Sequence, residues 1–423
     1  MSRWIKLVLV ALLVLIAALA MALVGLQYWL GTADFRQRVQ TLASAEAGVP
    51  VLFDRLVVDP WPVPGVAALG LRVGTAAPIS VRRIEFHPSV SGLLRGRLLL
   101  AHLGVEGAEI PQAGIDELIE RRKRRPARPA DPPPGGADAM ALLPQRVVLE
   151  KVRWLRKGAE PIALDGRVEL DAADQAPQRV DATLTEGAWR GSRLRLQRRD
   201  PQTWDLSVDV AGGTIKGPVH LVQAGNPWKL RGSLATAGVE LARIDGGKLS
   251  GQLEASTEWQ TQAAAVGGLV DALQTQSTFT VRNAVVHGLD LARAVKTVGM
   301  SRGGETALDT LAGGVATRGA GVALNNLVAS SGALAATGNV AIAAGNRALS
   351  GRIVVRVGSG LVGEVAGVPL VLGGTLDNPE LSLTRGAAIG AAVGTLVMPG
   401  VGTGAGAQVG DRLGDRIKGL FGK

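Results

Sequence analysis

Most of this chain alternates between apolar and polar positions. In the segment WDLSVDV, Trp204, Leu206, Val208 and Val210 take every second place, and Asp205, Ser207 and Asp209 take the others. PIALDGRVELDA spaces Ile162, Leu164, Val168 and Leu170 in the same way, and SRLRLQRR sets Leu194 and Leu196 against Arg193, Arg195 and Gln197. A period of two belongs to a strand whose two faces meet different surroundings. The pattern holds from Pro144 to Thr384, and shorter versions precede it in VLFDRLVV, VAALGLRVG, PISVRRIEF and GRLLLAHLGVEGAEI, cut by Pro and Gly. This predicts about fifteen to twenty strands. Helical spacing is rarer. Asp34–Ala47 carries Phe35, Val39, Leu42 and Ala43 on one side, with Thr32 as the N-cap, and residues 116–125 form a second short helix. Ala263–Leu273, Leu291–Val298 and Thr306–Leu311 are expected as helical interruptions of the strands.

Such a chain has a burial problem. A strand with one apolar face must cover that face, and these helices are too few to cover so many strands. Two solutions fit the pattern: two sheet faces covering each other in a sandwich or barrel, or a sheet curled into an open trough whose apolar floor is covered by hydrocarbon. Alternation by itself does not choose between them.

The N-terminus is of another kind. Leu7 to Leu26 is a run of 20 residues without a charge, flanked by Arg3 and Lys6 before it and by Tyr28 and Trp29 after it. As a helix it would be about 30 Å long, the thickness of a bilayer's hydrocarbon core. Cations on one side and amphipathic aromatics on the other predict a single-pass anchor, with its N-terminus cytoplasmic and its bulk outside. Ala18-Leu19-Ala20 and Ala20-Met21-Ala22 resemble signal-peptide cleavage sites, so a cleaved signal is the competing reading. Both readings export the chain.

Composition narrows the chemistry. The 423 residues are 47% hydrophobic but only 3% aromatic, so the apolar mass is aliphatic. With no cysteine there is no disulfide framework and no thiolate site. His87, His102, His220 and His287 are far apart in sequence and none lies at i, i+4 spacing to another, which removes the helical zinc-hydrolase motif. No G-x-S-x-G or phosphate-binding P-loop occurs. GTGAGA at 402–407 imitates a dinucleotide fingerprint but lacks the following strand and acid. Neither catalytic residues nor a cofactor or metal are indicated.

The net charge of +10 would ordinarily raise nucleic acid as a partner. Its placement argues otherwise. Six basic groups without an acid fall in 121–128, two lie at Arg3 and Lys6, and 386–423 holds four against two acids, which accounts for the whole excess. The strand-rich body is formally neutral. RRKRR at 121–125 runs into a segment with prolines at 126, 129, 132, 133 and 134 and reads as a basic, solvated linker; contact with anionic headgroups is its functional alternative. The tail repeats glycine every fourth residue, at Gly386, Gly390 and Gly394 and again at Gly402, Gly406, Gly410 and Gly414, around a Pro399-Gly400 turn. That predicts a helical hairpin with closely packed backbones, and its amphipathic end suits a membrane surface.

The last third resembles a known family. STFTVRNAVVHGLDLARAV (277–295), the Thr306–Gly313 segment, Leu334–Val340 and VPLVLGGTLDNPELSL (368–383) follow the order of motifs in the C-terminal domain of AsmA-like proteins. Ala307 stands where that family usually has an aromatic. The resemblance implies an inner-membrane-anchored periplasmic protein related to TamB-like and bridge-like lipid-transfer proteins, mostly β, with an elongated antiparallel sheet curled into an open groove. The chain is expected to divide into a cytoplasmic stub (1–6), an anchor (7–29), an N-terminal β-rich segment with a membrane-proximal helix (30–120), the linker (121–143), the groove domain (144–385, with the closest family match at 277–383) and the glycine-zipper-like tail (386–423). The expected function is non-enzymatic shielding of phospholipid acyl chains, in lipid transport or outer-membrane lipid homeostasis, with the inner membrane and envelope proteins as partners. Assistance to outer-membrane protein assembly, by adding a client strand to a sheet edge, is the alternative. The candidate groove residues are Ile162, Leu164, Val168, Leu170, Leu194, Leu196, Leu206, Val208 and Val210; Leu7, Leu26 and Trp29 mark the anchor. About twenty strands at ~4.8 Å would give a groove of at most roughly 100 Å, the size of a partial conduit or hand-off partner.

Overall fold

The computed structural model describes residues 32–386, apart from 60–64, 90–91, 93–98, 125–143, 157–159, 297–302, 358–366 and several breaks of one to three residues. The expected anchor, including Leu7, Leu26 and Trp29, lies outside the described residues, as do Gly390, Gly394, Gly402, Gly406, Gly410 and Gly414 of the tail; Gly386 is the last residue described. Among the described residues no helix is long and apolar enough to cross a membrane.

The protein is mostly β, with twenty strands and few helices among the described residues. It divides into two compact units, 1–198 and 199–423. The first opens with helix α1 (Ala33–Ala47), which starts where its sequence says it should: Thr32 has extended backbone angles and its side chain accepts a hydrogen bond from the Phe35 N–H. Gly48 ends the helix in the left-handed region, φ 69°, which costs a glycine little. Strands β1 (Val51–Leu52) and β2 (Arg55–Asp59) both pair with β3 (Gly65–Val73), followed by β4 (Ile79–Pro88) and β5 (Leu100–Pro111). Helix α2 (Gln112–Arg124) comes next, so the first residues of the expected linker are helical. Strands β6 (Arg146–Leu155), β7 (Ile162–Leu170), β8 (Pro177–Glu186) and β9 (Arg193–Asp200) complete the series.

One pairing departs from the expected antiparallel order. β5 and β6 run parallel, Leu103 opposite Val147 and Val105 opposite Leu149. A parallel pair needs a long connection, and α2 and residues 125–143 separate the two strands in sequence. The two strands on either side of that stretch in sequence thus belong to one sheet.

The second unit is a plain meander: β10 (Thr203–Val210), β11 (Gly213–Gln223), β12 (Trp228–Glu240), β13 (Leu249–Ala263), β14 (Gln274–His287), β15 (Glu305–Arg318), β16 (Gly321–Ser331), β17 (Leu334–Ala343), β18 (Leu349–Val357), β19 (Val368–Gly374) and β20 (Pro379–Leu383). Each is antiparallel to the next. Of the helices expected here, Leu291–Val298 is present among the described residues as α3 (Leu291–Lys296), six residues long. Thr306–Leu311, expected as helix, is the first half of β15. Its apolar residues fit either period, and pairing with β14 decides for the strand, burying Thr306 and Leu308 while Glu305, Ala307 and Asp309 face out. In Ala263–Leu273 the described residues hold the end of β13 at Ala263, a 3-10 residue at Gly268 and turns at 269, 271 and 272, with residues 265–267 and 270 outside the description.

The sheet was expected to curl into a groove. What the ladders give is an open, uncurled sheet. Within each unit the described strands bond in series, and no ladder joins the first strand of the series to the last, which closure would require. The apolar residues collect in separate clusters instead. In the second unit one large core draws on β14 to β20 and α3, with Leu370 and Val355 at 0% exposure and Leu291 and Ala294 contributed by the helix. In the first, Phe35 and Val39 of α1 pack on Phe53, Leu56 and Ala68, and a smaller cluster joins Val81, Ala108 and Val152.

Candidate functional site

The registers of the first unit set its apolar residues in rows. Val58, Val66, Phe86, Leu103, Val147, Val168, Val180 and Leu196 are successive cross-strand partners from β2 to β9. A second row beside it reads Leu56, Ala68, Ile84, Val105, Leu149, Gly166, Ala182 and Leu194. Neither row contains a polar side chain. Eight strands at about 4.8 Å make a strip roughly 34 Å long running across the strands.

The pleat puts alternate residues on the opposite face, and there the chemistry reverses. Between the two apolar rows lies Glu85, Gly104, Val148, Arg167, Asp181 and Arg195. Asp181 accepts from Arg179 at 2.6 Å and from Arg195 at 3.3 Å, and the Arg179 bond, with the charge beside it, holds its carboxyl below the usual range. Arg153 spans Glu109 at 3.0 Å and Glu186 at 3.1 Å. These pairs are largely exposed and add little stability one by one. Their effect is to keep this face in water, which leaves the aliphatic face as the one to be covered.

The described residues cover that face only in part. The α1 cluster buries Leu56 and Ala68 at one end. The clusters of buried apolar residues in this unit include nothing from β8 or β9. Val147, Val168, Val180, Leu194 and Leu196 stay half-buried, and Phe86 is 38% exposed. A strip of this length, with no cluster of buried apolar residues over β8 and β9 among the described residues, is unusual for a water-facing surface.

Of the nine residues expected to line a groove, three lie in these rows: Val168, Leu194 and Leu196. Leu164 extends the face, between Val152 and Leu184, and Ile162 lies opposite Trp154. Leu170 pairs with Pro177 at the end of β7. Leu206, Val208 and Val210 belong to the second unit, where they face Gly217, Ile215 and Gly213 of β11; Val210 is buried. Sequence reasoning missed Val66, Phe86, Leu103, Val147 and Val180 as members of one surface. Their strands were legible, but their alignment needs the register and the parallel β5–β6 pair.

The histidines are not all apart. His87 and His102 are cross-strand partners, ring centroids 5.5 Å from each other. Burial, then the neighbouring His87, pushes the His102 imidazole down from its ordinary value. Asp59, Glu85 and His87 form the one triad of metal-ligating type among the described residues. Arg83 already bonds both carboxylates, Asp59 at 2.5 Å and Glu85, so the group is a satisfied ion cluster.

No protein-family model matches this chain, and neither the curated proteins nor the solved structures yield a match. What the fold defines is a class: an open, mostly antiparallel β-sheet protein with one aliphatic and one charged face in its first unit.

Proposed function

We propose that the protein is a non-enzymatic, inner-membrane-anchored envelope protein that shields lipid acyl chains on the aliphatic face of its sheet, in phospholipid transport or outer-membrane lipid homeostasis. The observation that carries the reading is the pair of uninterrupted apolar rows crossing eight strands. An acyl chain of about sixteen methylenes exposed to water costs on the order of 13 kcal/mol at ~0.8 kcal/mol each. A chain laid along the rows exchanges water for Val, Leu, Ile and Phe at every strand, so movement from strand to strand meets no large step. The reaction needs no acid, base or nucleophile. Kinship with AsmA-like proteins and their relatives, suggested by the motifs at 277–383, agrees with this use of a sheet, as do the expected anchor and exported topology.

The test is lipid mass spectrometry on the full chain purified in mild detergent, beside a Val168→Asp/Leu196→Asp variant whose fold is checked by circular dichroism. Phospholipid that co-purifies with the parent and is lost from the folded variant supports the reading. A parent free of lipid, or a variant that keeps its lipid, overturns it.

A further inference from the structure

A second surface, in the second unit, has different chemistry. A hollow of about 990 Å³ crosses its strands from β11 to β18. Two cross-strand rows line it. One runs His220, Arg231, Gln260, Gln274, Arg318, Gly321 and Ala343; the other includes Glu258, Gln276 and Ala316. Arg231, Gln260, Gln274 and Arg318 are exposed. The residues between the rows belong to the opposite face of the pleat. There the Trp259 indole lies over Gly232, where a Cβ would meet its Nε1 at 2.7 Å, and the Thr275 and Thr317 hydroxyls bond at 2.8 Å. Gly232, Trp259, Thr275 and Thr317 also contribute to the lining, and the exposed residues of the two rows form its polar part.

Along the first row, two arginines bracket two primary amides on four adjacent strands. Their backbones span about 14 Å, three strand spacings. Arg282, on the neighbouring stretch of β14, pairs with Glu254 at 3.1 Å; among the described residues Arg231 and Arg318 have no ion-pair partner. Glu258 lies in the adjoining row, opposite Gln276, and is the one carboxylate in the hollow. Two guanidinium forks and two amide groups side by side present a line of N–H donors into a concavity, the arrangement that suits the oxygens of a phosphate.

We propose that this row, Arg231–Gln260–Gln274–Arg318, binds a phosphate-bearing ligand, with Glu258 positioned to accept from a hydroxyl or ammonium of the same molecule. The phosphate comes either from a lipid headgroup or from a small soluble phosphate ester. The site stands apart from the acyl-chain reading, since it uses a different unit and lipid-free protein tests it.

The experiment titrates the full chain with glycerol 3-phosphate by calorimetry, and separately measures binding to phosphatidylcholine vesicles with and without phosphatidic acid. The R231Q/R318Q double variant is expected to lose about tenfold in affinity for the phosphate probe, while R193Q, an exposed arginine of the first unit, leaves it unchanged. Binding of the soluble ester without any phosphatidic-acid dependence supports the site and assigns it a soluble ligand. Loss of phosphatidic-acid binding in the double variant supports it and assigns a headgroup. Equal affinity for parent and double variant, an equal loss in R193Q, or no binding of either probe overturns the proposal.

Discussion

The first unit leaves an aliphatic sheet face half-buried across most of its strands, with helix α1 over one end, whereas the second gathers its aliphatic residues into one core closed by its own later strands and α3. The chemistry of the strands is similar; the contacts are not. In the second unit Lys248, before β13, forms an ion pair with Asp377 in the β19–β20 turn, and Arg347 holds the same carboxylate at 3.3 Å. That links strands that share no ladder. The comparison teaches that alternation alone does not say whether an apolar face is structural. In one unit it is consumed by folding, and in the other much of it is only half-buried by the described residues.

The comparison can be broken most directly by cutting into each face. Leu370→Ala, at 0% exposure in the second core, is expected to cost about 3 kcal/mol in denaturant unfolding, within the range for buried Leu→Ala. Val168→Ala, in the half-covered strip, should cost less than about 1 kcal/mol. Equal losses would mean that the strip is as fully packed as the core. The cover at the end of the strip gives a second test. Thr32→Ala removes the N-cap of α1 and should cost about 1 kcal/mol. Faster hydrogen exchange in α1 and β2, with β8 and β9 unaffected, would sharpen the boundary between covered and uncovered strip; slower or unchanged exchange in α1 would contradict it.

Acid should act on both units with the same sign. Asp181 is held below its ordinary value by the Arg179 bond, and Asp377 by the Lys248 bond. Because the folded state binds these protons less readily than the unfolded chain, their contribution is present above the unfolded value of about 3.9 and is lost as pH falls through the depressed folded values. Asp377→Asn should flatten that acid limb for the second unit, read by urea unfolding between pH 5 and about 2.5. The smallest effect belongs to His102. Its folded value is also depressed, so stability should begin to drop as pH falls below about 6.5. His102→Gln should remove that shallow step, and a step that persists would place the titration elsewhere.

Much of this protein was legible beforehand. The strands, the capped helix at Thr32 and the short helix at Leu291 follow from short-range rules, since period, cap and punctuation are local properties of the backbone. The β15 segment at Thr306–Leu311 was misjudged because six residues with apolar side chains at positions 307, 308 and 311 fit two periods. Only pairing with β14 separates them. Val168 and Leu196 could be named as surface candidates, but nothing in the sequence says that Val180 sits between them or that Leu103 continues the row through Val147. Those facts depend on register, and a shift of one residue would send each side chain to the other face.

The sequence by itself determined the kind of element, the aliphatic character of one side of each strand, and the placement of the excess charge outside the strand-rich body. Only the tertiary structure decided that the sheet is open, that β5 and β6 run parallel across the basic stretch, and which apolar residues become core. The reason is physical: propensity and periodicity are set by neighbours a few residues away, whereas burial is set by partners brought together from tens of residues apart, as in the Lys248–Asp377 pair.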